Sequence, residues 1–180
     1  MTTDLSTDTA DKRLILKARA RALAQEPAAE SAAREFLEIT EFQLAAETYA
    51  LASYFVREVQ PLKDYTPLPG VPPFVLGIIN VRGQILSVVD LKKFFDLPCK
   101  SLSELDKVIV IRNERMEFGV LADAIIGTRS IPLDAIQAAP PTVTGIGAEY
   151  LKGVTKEGVI VLDAEKILSD EKIVISQKAE

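Results

Sequence analysis

The chain is 180 residues long, 48% apolar and 26% charged, with a net charge of −5. That balance fits a water-soluble globular protein of one domain or two small lobes, and its acidity disfavours a nucleic-acid binder, whose phosphate contacts need a basic face. There is no histidine and a single cysteine, Cys99, which removes the commonest general base and metal ligand, any Ser-His or Cys-His nucleophile pair, a histidine phosphoacceptor and any internal disulfide.

Residues Met1 to Ala10 are polar and read as disordered. Within the arm 1–34, Leu16, Ala20 and Leu23 recur at helical spacing, with Lys12, Arg13, Lys17, Arg19 and Arg21 on other faces. Asp11 suits an N-cap and Pro27 a stop, which predicts a helix over 11–25. Two readings stay open for it: a docking helix, or a marginally stable arm with a solvated basic face. The first apolar cluster, Leu14-Ile15-Leu16, is too short for a secretory segment, and no apolar run approaches the roughly 20 residues of a spanning helix. A cytoplasmic chain without membrane insertion is expected.

From Phe36 the apolar period shifts towards two. Thr40, Phe42 and Leu44 share one face, whereas Leu37 and Ile39 have the opposite parity, so a bulge or a change of burial is expected near Thr40. Val56 and Val59 bracket Arg57-Glu58 and read as core. Pro61 through Pro73, rich in proline that cannot donate to a ladder, reads as a surface loop. Then comes the most informative stretch, Phe74-Val-Leu-Gly-Ile-Ile-Asn80-Val-Arg82-Gly83-Gln-Ile-Leu-Ser-Val-Val-Asp90-Leu91. Two runs rich in Val and Ile flank a tight Asn80-Val81-Arg82-Gly83 step, which predicts a buried β-hairpin with a long cation near its tip.

Leu91 to Leu97 suits a short helix ended by Pro98, and the polar stretch Lys100 to Asp106 marks a boundary between lobes. Val108 to Ile111 reads as a buried strand, Asn113-Glu114-Arg115 as its turn, and Met116 to Ala122 as its partner, with Ile125-Ile126-Gly127 continuing the same sheet. Thr142 to Ala148 reads as a flexible loop. Tyr150–Val154 and Gly158–Leu162 form a final hairpin, followed by a helical turn at Ala164–Leu168 and a polar tail. Short strands with turn signals every 8–12 residues suggest closed or nearly closed barrels.

The central hairpin resembles the signature of CheW-like chemotaxis coupling proteins, F-V-x-G-x-x-N-x-R-G followed by I-x-x-V-x-D-L. Three further segments resemble the family in order and spacing: Tyr49-Ala-Leu51 leading into Val56-Arg-Glu-Val59; Phe118-Gly-Val-Leu-Ala-Asp123 with Ile126-Gly127, like the strand that opens the family's second lobe; and Tyr150-Leu-Lys-Gly153 with Val159-Ile-Val-Leu-Asp163. The resemblance covers roughly 36–168. It implies a mainly β fold of two intertwined five-stranded SH3-like barrels, arranged here as the arm, a CheW-like domain over 35–170 and a C-terminal tail over 171–180. It implies a non-catalytic adaptor with no cofactor and no metal. The partners implied are chemoreceptor cytoplasmic hairpin tips, the regulatory domain of a histidine autokinase, and other CheW-like domains, met in the cytoplasm at membrane-bound receptor arrays.

Within that resemblance Arg82 belongs to the receptor-contacting surface, together with Glu58, Asn80, Gly83 and Val56. A guanidinium fork suits carboxylates. Asn80 and Gly83 serve the turn as readily as contact, and Glu58 either orients Arg82 or is simply solvated. The chain departs from the family at Ser87, where proline is common, and at Phe55, where a polar residue is common. Two other functions stay in view: a CheW-like adaptor for another output, such as twitching motility or gene regulation, and an enzyme using the strand-end carboxylates Asp90, Asp123 and Asp163.

Overall fold

The structure, a computed structural model, describes residues 35–98, 106–138 and 146–173. All of them belong to the second of the two units into which the chain divides, Met1–Arg34 and Glu35–Glu180. The helix expected over 11–25 and Cys99 lie outside the described residues.

The fold is mostly strand. In chain order it runs β1 Phe36–Leu44, β2 Glu47–Ala52, β3 Val56–Pro61, β4 Val75–Val81, β5 Gln84–Val89, α1 Leu91–Phe94, β6 Lys107–Arg112, β7 Glu117–Ala122, β8 Ala124–Pro132, β9 Ile136–Gln137, β10 Leu151–Thr155, β11 Ile160–Leu162 and α2 Ala164–Ser169. The strands form two sheets, of order β8-β1-β2-β11-β10-β9 and β3-β6-β7-β5-β4. The first sheet curls. Its outermost strands, β8 and β9, are joined by the 3-10 turn Leu133–Ala135 alone. Laid flat, six strands would set them about 24 Å apart, whereas four chain steps reach at most about 14 Å. In the second sheet the chain leaving β3 returns to β4 through a single bridge, Thr66 to Ile78. The expected pair of five-stranded barrels is therefore found as two sheets of six and five strands. The difference arises because β9 makes two pairs with β10, while the matching segment beyond β3 makes one.

The two sheets are intertwined. The β1–β2 hairpin lies in the first sheet, the chain then crosses at Ser53–Phe55 to build β3 to β7 in the second, and crosses back at Asp123 to complete the first with β8 to β11. The lobe boundary expected at Lys100–Asp106 is thus corrected, because β6 joins β3 and β7 in one sheet. Phe118–Asp123 does not open a second lobe but runs through the middle of the second sheet, and Ile125-Ile126-Gly127 does not continue that sheet but pairs with β1 in the other. The crossing explains why: Asp123 N–H donates to the Gln43 carbonyl, and the Asp123 carboxylate accepts from Ala45 N–H at 2.7 Å, so the strand is handed to the β1–β2 hairpin.

Three apolar clusters follow from this. Leu37, Ile39, Ala50, Ile131 and Val161 fill the first sheet's interior, and Ile79, Val81, Val88, Val108, Val110 and Leu121 fill the second's. The largest lies between the sheets and holds Phe42, Leu44, Leu51, Ile109, Ile111, Phe118, Leu162 and Ile167. Strands β1, β2, β6 and β7 are buried on both faces, which is why Val108 to Ile111 is a continuous apolar run rather than an alternation. The same duality resolves the parity of the first strand: Leu37 and Ile39 point into the sheet interior, Phe42 and Leu44 into the shared cluster, and a register shift falls between Glu41 and Phe42. Packing continues past 170, since Ile173 is buried against the shared cluster. Tyr150, expected in a strand, ends the 3-10 segment Ile146–Tyr150 with its ring 5.2 Å from that of Phe94. Of the loop expected over Thr142 to Ala148, residues 142–145 lie outside the described residues, and the remainder belongs to this 3-10 segment.

One buried charge cluster sits where α1 meets the crossing. Lys92, its side chain 3% exposed, bonds through Nζ to Asp123. Burial opposes its charge, but the Asp123 bond and the carboxylates of Asp123, Asp90 and Asp106 outweigh it and raise its pKa above the ordinary 10.5. Lys92→Ala, which removes the cation bonded to Asp123, should lower unfolding free energy by about 3–5 kcal/mol in a denaturant titration. The native group holds its proton to higher pH than the unfolded one. The pair's contribution should therefore be fully present below the ordinary 10.5 and fade as pH rises beyond it.

Gly77 carries the closure of the second sheet. A Cβ built there would lie 2.2 Å from the Thr66 carbonyl oxygen, at a φ of +148°. Gly77→Ala should destabilise the domain by about 1–3 kcal/mol, read as a shift of the urea midpoint. An unmoved midpoint would mean that Thr66 is not held against β4.

Candidate functional site

One rim of the second sheet gathers the residues that the sequence singles out. Strands β3, β5 and β7 start there, and β4 and β6 end there, as their pairing directions require. The β4–β5 hairpin closes through Val81 opposite Gln84, leaving Arg82 and Gly83 as a two-residue loop. Both have positive φ, +51° and +87°, the backbone of a type I′ turn matched to strand twist. Gly83 adopts it freely, but an arginine in this region is strained by roughly 1–2 kcal/mol. Asn80 offsets part of that strain, because its Oδ1 accepts from Gly83 N–H at 2.7 Å. Of the two tasks open to Asn80, the structure shows the structural one. Asn80→Ala should therefore destabilise the fold by about 1 kcal/mol, measured by chemical denaturation.

Arg82 stands out from the tip with its side chain 77% exposed, and its Nη2 lies 2.9 Å from Glu58 Oε2. Glu58 is 18% exposed and is thus a partner of Arg82 rather than a freely solvated acid. It reaches the tip from β3, whose register shifts between Val56 and Glu58. Such a bulge re-aims side chains at a sheet's end and gives Arg57 and Glu58 a common destination. Val56 is half-buried against the shared cluster and anchors this turn of chain. Val59, expected in the core, is instead 39% exposed, because β3 is an outer strand with one face uncovered. Ile85, on the strand leaving the tip, is 68% exposed. A groove of about 320 Å³ opens between Gln60–Asp64 and Ile79–Asn80, where β3 and β4 diverge.

Three members of the rim escape the sequence reading. Arg57 Nη1 lies 2.5 Å from Glu117 Oε1 and donates to Gln84 Oε1 at 2.9 Å, while its Nε lies 3.8 Å from Glu58 Oε1. The hydrogen bond to Glu117 raises the Arg57 guanidinium above its ordinary value. The rim thus carries a line of alternating charge, Arg82, Glu58, Arg57, Glu117, drawn from the β4–β5 tip, β3 and β7. Only the adjacency of Arg57 and Glu58 is visible in the chain. Glu117 and Gln84 arrive through pairings that span 60 and 27 residues.

The strand-end carboxylates have other employment. Asp90 caps α1 by accepting from Lys92 N–H at 3.1 Å, and burial raises its carboxyl above the usual range. Asp163 caps α2 by accepting from Lys166 N–H at 3.2 Å. Asp123 holds Lys92 and the β1–β2 turn. Among the described residues there is no group of His, Cys, Asp and Glu side chains able to hold a metal ion, and no helix is long and apolar enough to cross a membrane.

The CheW-like domain model matches residues 38–172. The chain is 32% identical over 146 residues to the chemotaxis protein CheW of Treponema pallidum, covering 77% of this chain and 86% of that protein. The crystal structure of the scaffolding protein TtCheW from Thermoanaerobacter tengcongensis superimposes with a TM-score of 0.67 at 27% identity, covering 77% of this chain and 96% of that one. The protein PilI of Pseudomonas aeruginosa is 27% identical over 113 residues, 63% of this chain and 64% of its own length. Fold and relatives together define a scaffold-type adaptor of chemotaxis. The chain belongs to the CheW-like family.

Proposed function

We propose that the rim around Arg82 docks the cytoplasmic hairpin tip of a chemoreceptor, while another surface of the same domain holds the regulatory domain of a histidine autokinase. The observation that carries this reading is the state of Arg82: a cation placed on a strained, exposed turn and paired with one acid. An exposed ion pair contributes only about 0–1 kcal/mol. Arg82 can therefore be lent to a partner carboxylate at small loss to the fold. Strain held at an exposed position accords with a functional rather than a stabilising residue. Exposed Ile85 and Val59 on the neighbouring strands offer apolar contact beside the charge, the mixture that protein interfaces use. Glu58, Asn80, Gly83 and Val56 serve the same contact by orienting Arg82 and shaping its turn.

The adaptor is non-catalytic in this reading, works in the cytoplasm, and is recruited to membrane-bound receptor arrays beside other CheW-like domains. Its strand-end carboxylates are spent on helix caps and the Lys92 pair, which leaves the enzyme alternative without a general acid–base pair. A second reading, an adaptor for another output such as twitching motility or gene regulation, is favoured by the likeness to PilI. It would use the same rim with a different receptor.

Arg82→Glu tests the docking role. The substitution keeps the turn's backbone and should change stability by less than about 0.5 kcal/mol. It places a like charge against any partner carboxylate and against Glu58. Binding to a receptor-tip fragment should weaken by about 2 kcal/mol, roughly thirtyfold, in a calorimetric titration, with kinase-domain binding less affected. Unchanged receptor affinity would reject the role of Arg82, and a large fall in melting temperature would make the residue structural.

A further inference from the structure

Glu58 lies between two arginines that are anchored in different ways. Its Oε2 is 2.9 Å from Arg82 Nη2, and its Oε1 is 3.8 Å from Arg57 Nε. Arg82 projects from a two-residue loop and is mostly exposed. Arg57 is tied down. Glu117 on β7 and Gln84 on β5 both engage its Nη1, and among the described residues its Nε donates to nothing. A guanidinium donates from several fixed directions at once, so Nε can donate to a new carboxylate while Nη1 keeps its partners.

We propose that Arg57 is the reserve counter-ion of Glu58: when a partner carboxylate engages Arg82, Glu58 passes from Arg82 to Arg57, and the tip guanidinium is released without leaving an unpaired acid on the rim. This rests on the reading of the rim as the receptor-docking site. The distances suit the exchange. Shortening 3.8 Å to an ordinary charged hydrogen bond of about 2.8 Å needs a shift of about 1 Å in the Glu58 side chain and no movement of Arg57. The environment favours it. Glu58 is 18% exposed, so a displaced carboxylate there is incompletely hydrated, and it would face the incoming acid as a like charge. Arg57 removes both penalties together. It is a positioning residue: it acts on the partner only through Glu58, and its own fork stays with Glu117 and Gln84. The β3 bulge is what makes the device possible, because it turns consecutive residues, Arg57 and Glu58, towards one end of the sheet.

A double-mutant cycle on the full chain tests this, with a soluble receptor-tip fragment as the probe and calorimetry at fixed ionic strength as the readout. Arg57→Gln should weaken binding by about tenfold, within the range typical of coupled sites. In a Glu58→Gln background, where no acid needs a new cation, the same change should alter affinity by no more than about twofold. Arg57→Lys, which keeps the charge beside Glu58, should recover most of the loss. Melting temperatures recorded for every variant separate a binding effect from a folding one. Equal losses in both backgrounds would show that Arg57 touches the partner directly or merely shapes the rim, and would overturn the proposal. So would parental affinity for Arg57→Gln alone. An Arg82→Glu variant that binds as well as the parent would remove the docking reading itself, and this proposal with it.

Discussion

Each sheet of this protein is completed by a hairpin that belongs to the other half of the chain, and the rest of the structure depends on that exchange. Strands β1 and β2 precede β3 to β5 in sequence yet pair with β8 and β11, and β6 and β7 precede β8 to β11 yet pair with β3 and β5. The two halves repeat one plan. Parallel pairing of β5 with β7 is matched by β11 with β2. The Asp90 cap of α1 is matched by the Asp163 cap of α2. Gly77, whose added Cβ would strike the Thr66 carbonyl, is matched by Gly153, whose added Cβ would lie 2.3 Å from the Gln137 carbonyl. Neither half can bury the shared cluster alone, because Phe42 and Leu51 come from one and Ile109 and Phe118 from the other. Non-local pairing of this kind must be closed before its contacts reward it, which gives the crossing residues more weight than their size suggests.

The exchange also decides where a charged rim can form. Where strand starts and strand ends converge, the sheet offers side chains from several strands within one small area, and a hairpin tip stands above them. In the second sheet the tip carries a cation, Arg82, steadied by an acid on β3. In the first sheet the tip carries an acid, Glu157, engaged by Arg129 on β8, which also bonds Glu41 at 2.7 Å. The plan is the same and the sign is reversed. A partner that brings a carboxylate to Arg82 meets a like charge at Glu157, so the two rims are not interchangeable for it, and electrostatics rather than shape separates them.

Much of this was legible in the chain, and what was not has definite causes. The hairpin at Arg82 was readable because turn chemistry is local: Asn80 and Gly83 announce it within four residues. Strand positions in the second half followed from apolar runs bounded by Asn113 and Gly158. The partition into sheets was not readable, since a strand buried on both faces, such as β6, carries no period that names its neighbours. The polar stretch at Lys100 resembles a linker but joins two strands of one sheet, while the true crossings are three residues at Ser53–Phe55 and one at Asp123. The Arg57–Glu117 contact was invisible for the same reason, as it depends on β3 and β7 flanking β6. The positive φ of Arg82 was also hidden, because the bulky residue at that turn position contradicts local preference.

In the docking reading proposed for the rim, that last conflict bears on function more than on fold. A glycine at position 82 would fit the turn with less strain, and an arginine without Glu58 would be hydrated and undirected. The chain instead holds a strained cation in a weak pair, an arrangement that contributes little to stability by either part. If the rim docks a partner as proposed, that weakness is an advantage. A strong buried pair such as Lys92 with Asp123 would have to be broken before a partner could use either charge, whereas an exposed pair yields to a competing carboxylate of equal quality. The difference between the two pairs is burial. Lys92 is 3% exposed and Arg82 is 77% exposed, so the same class of interaction makes a buried joint in one place and, in the docking proposed for the rim, a releasable contact in the other.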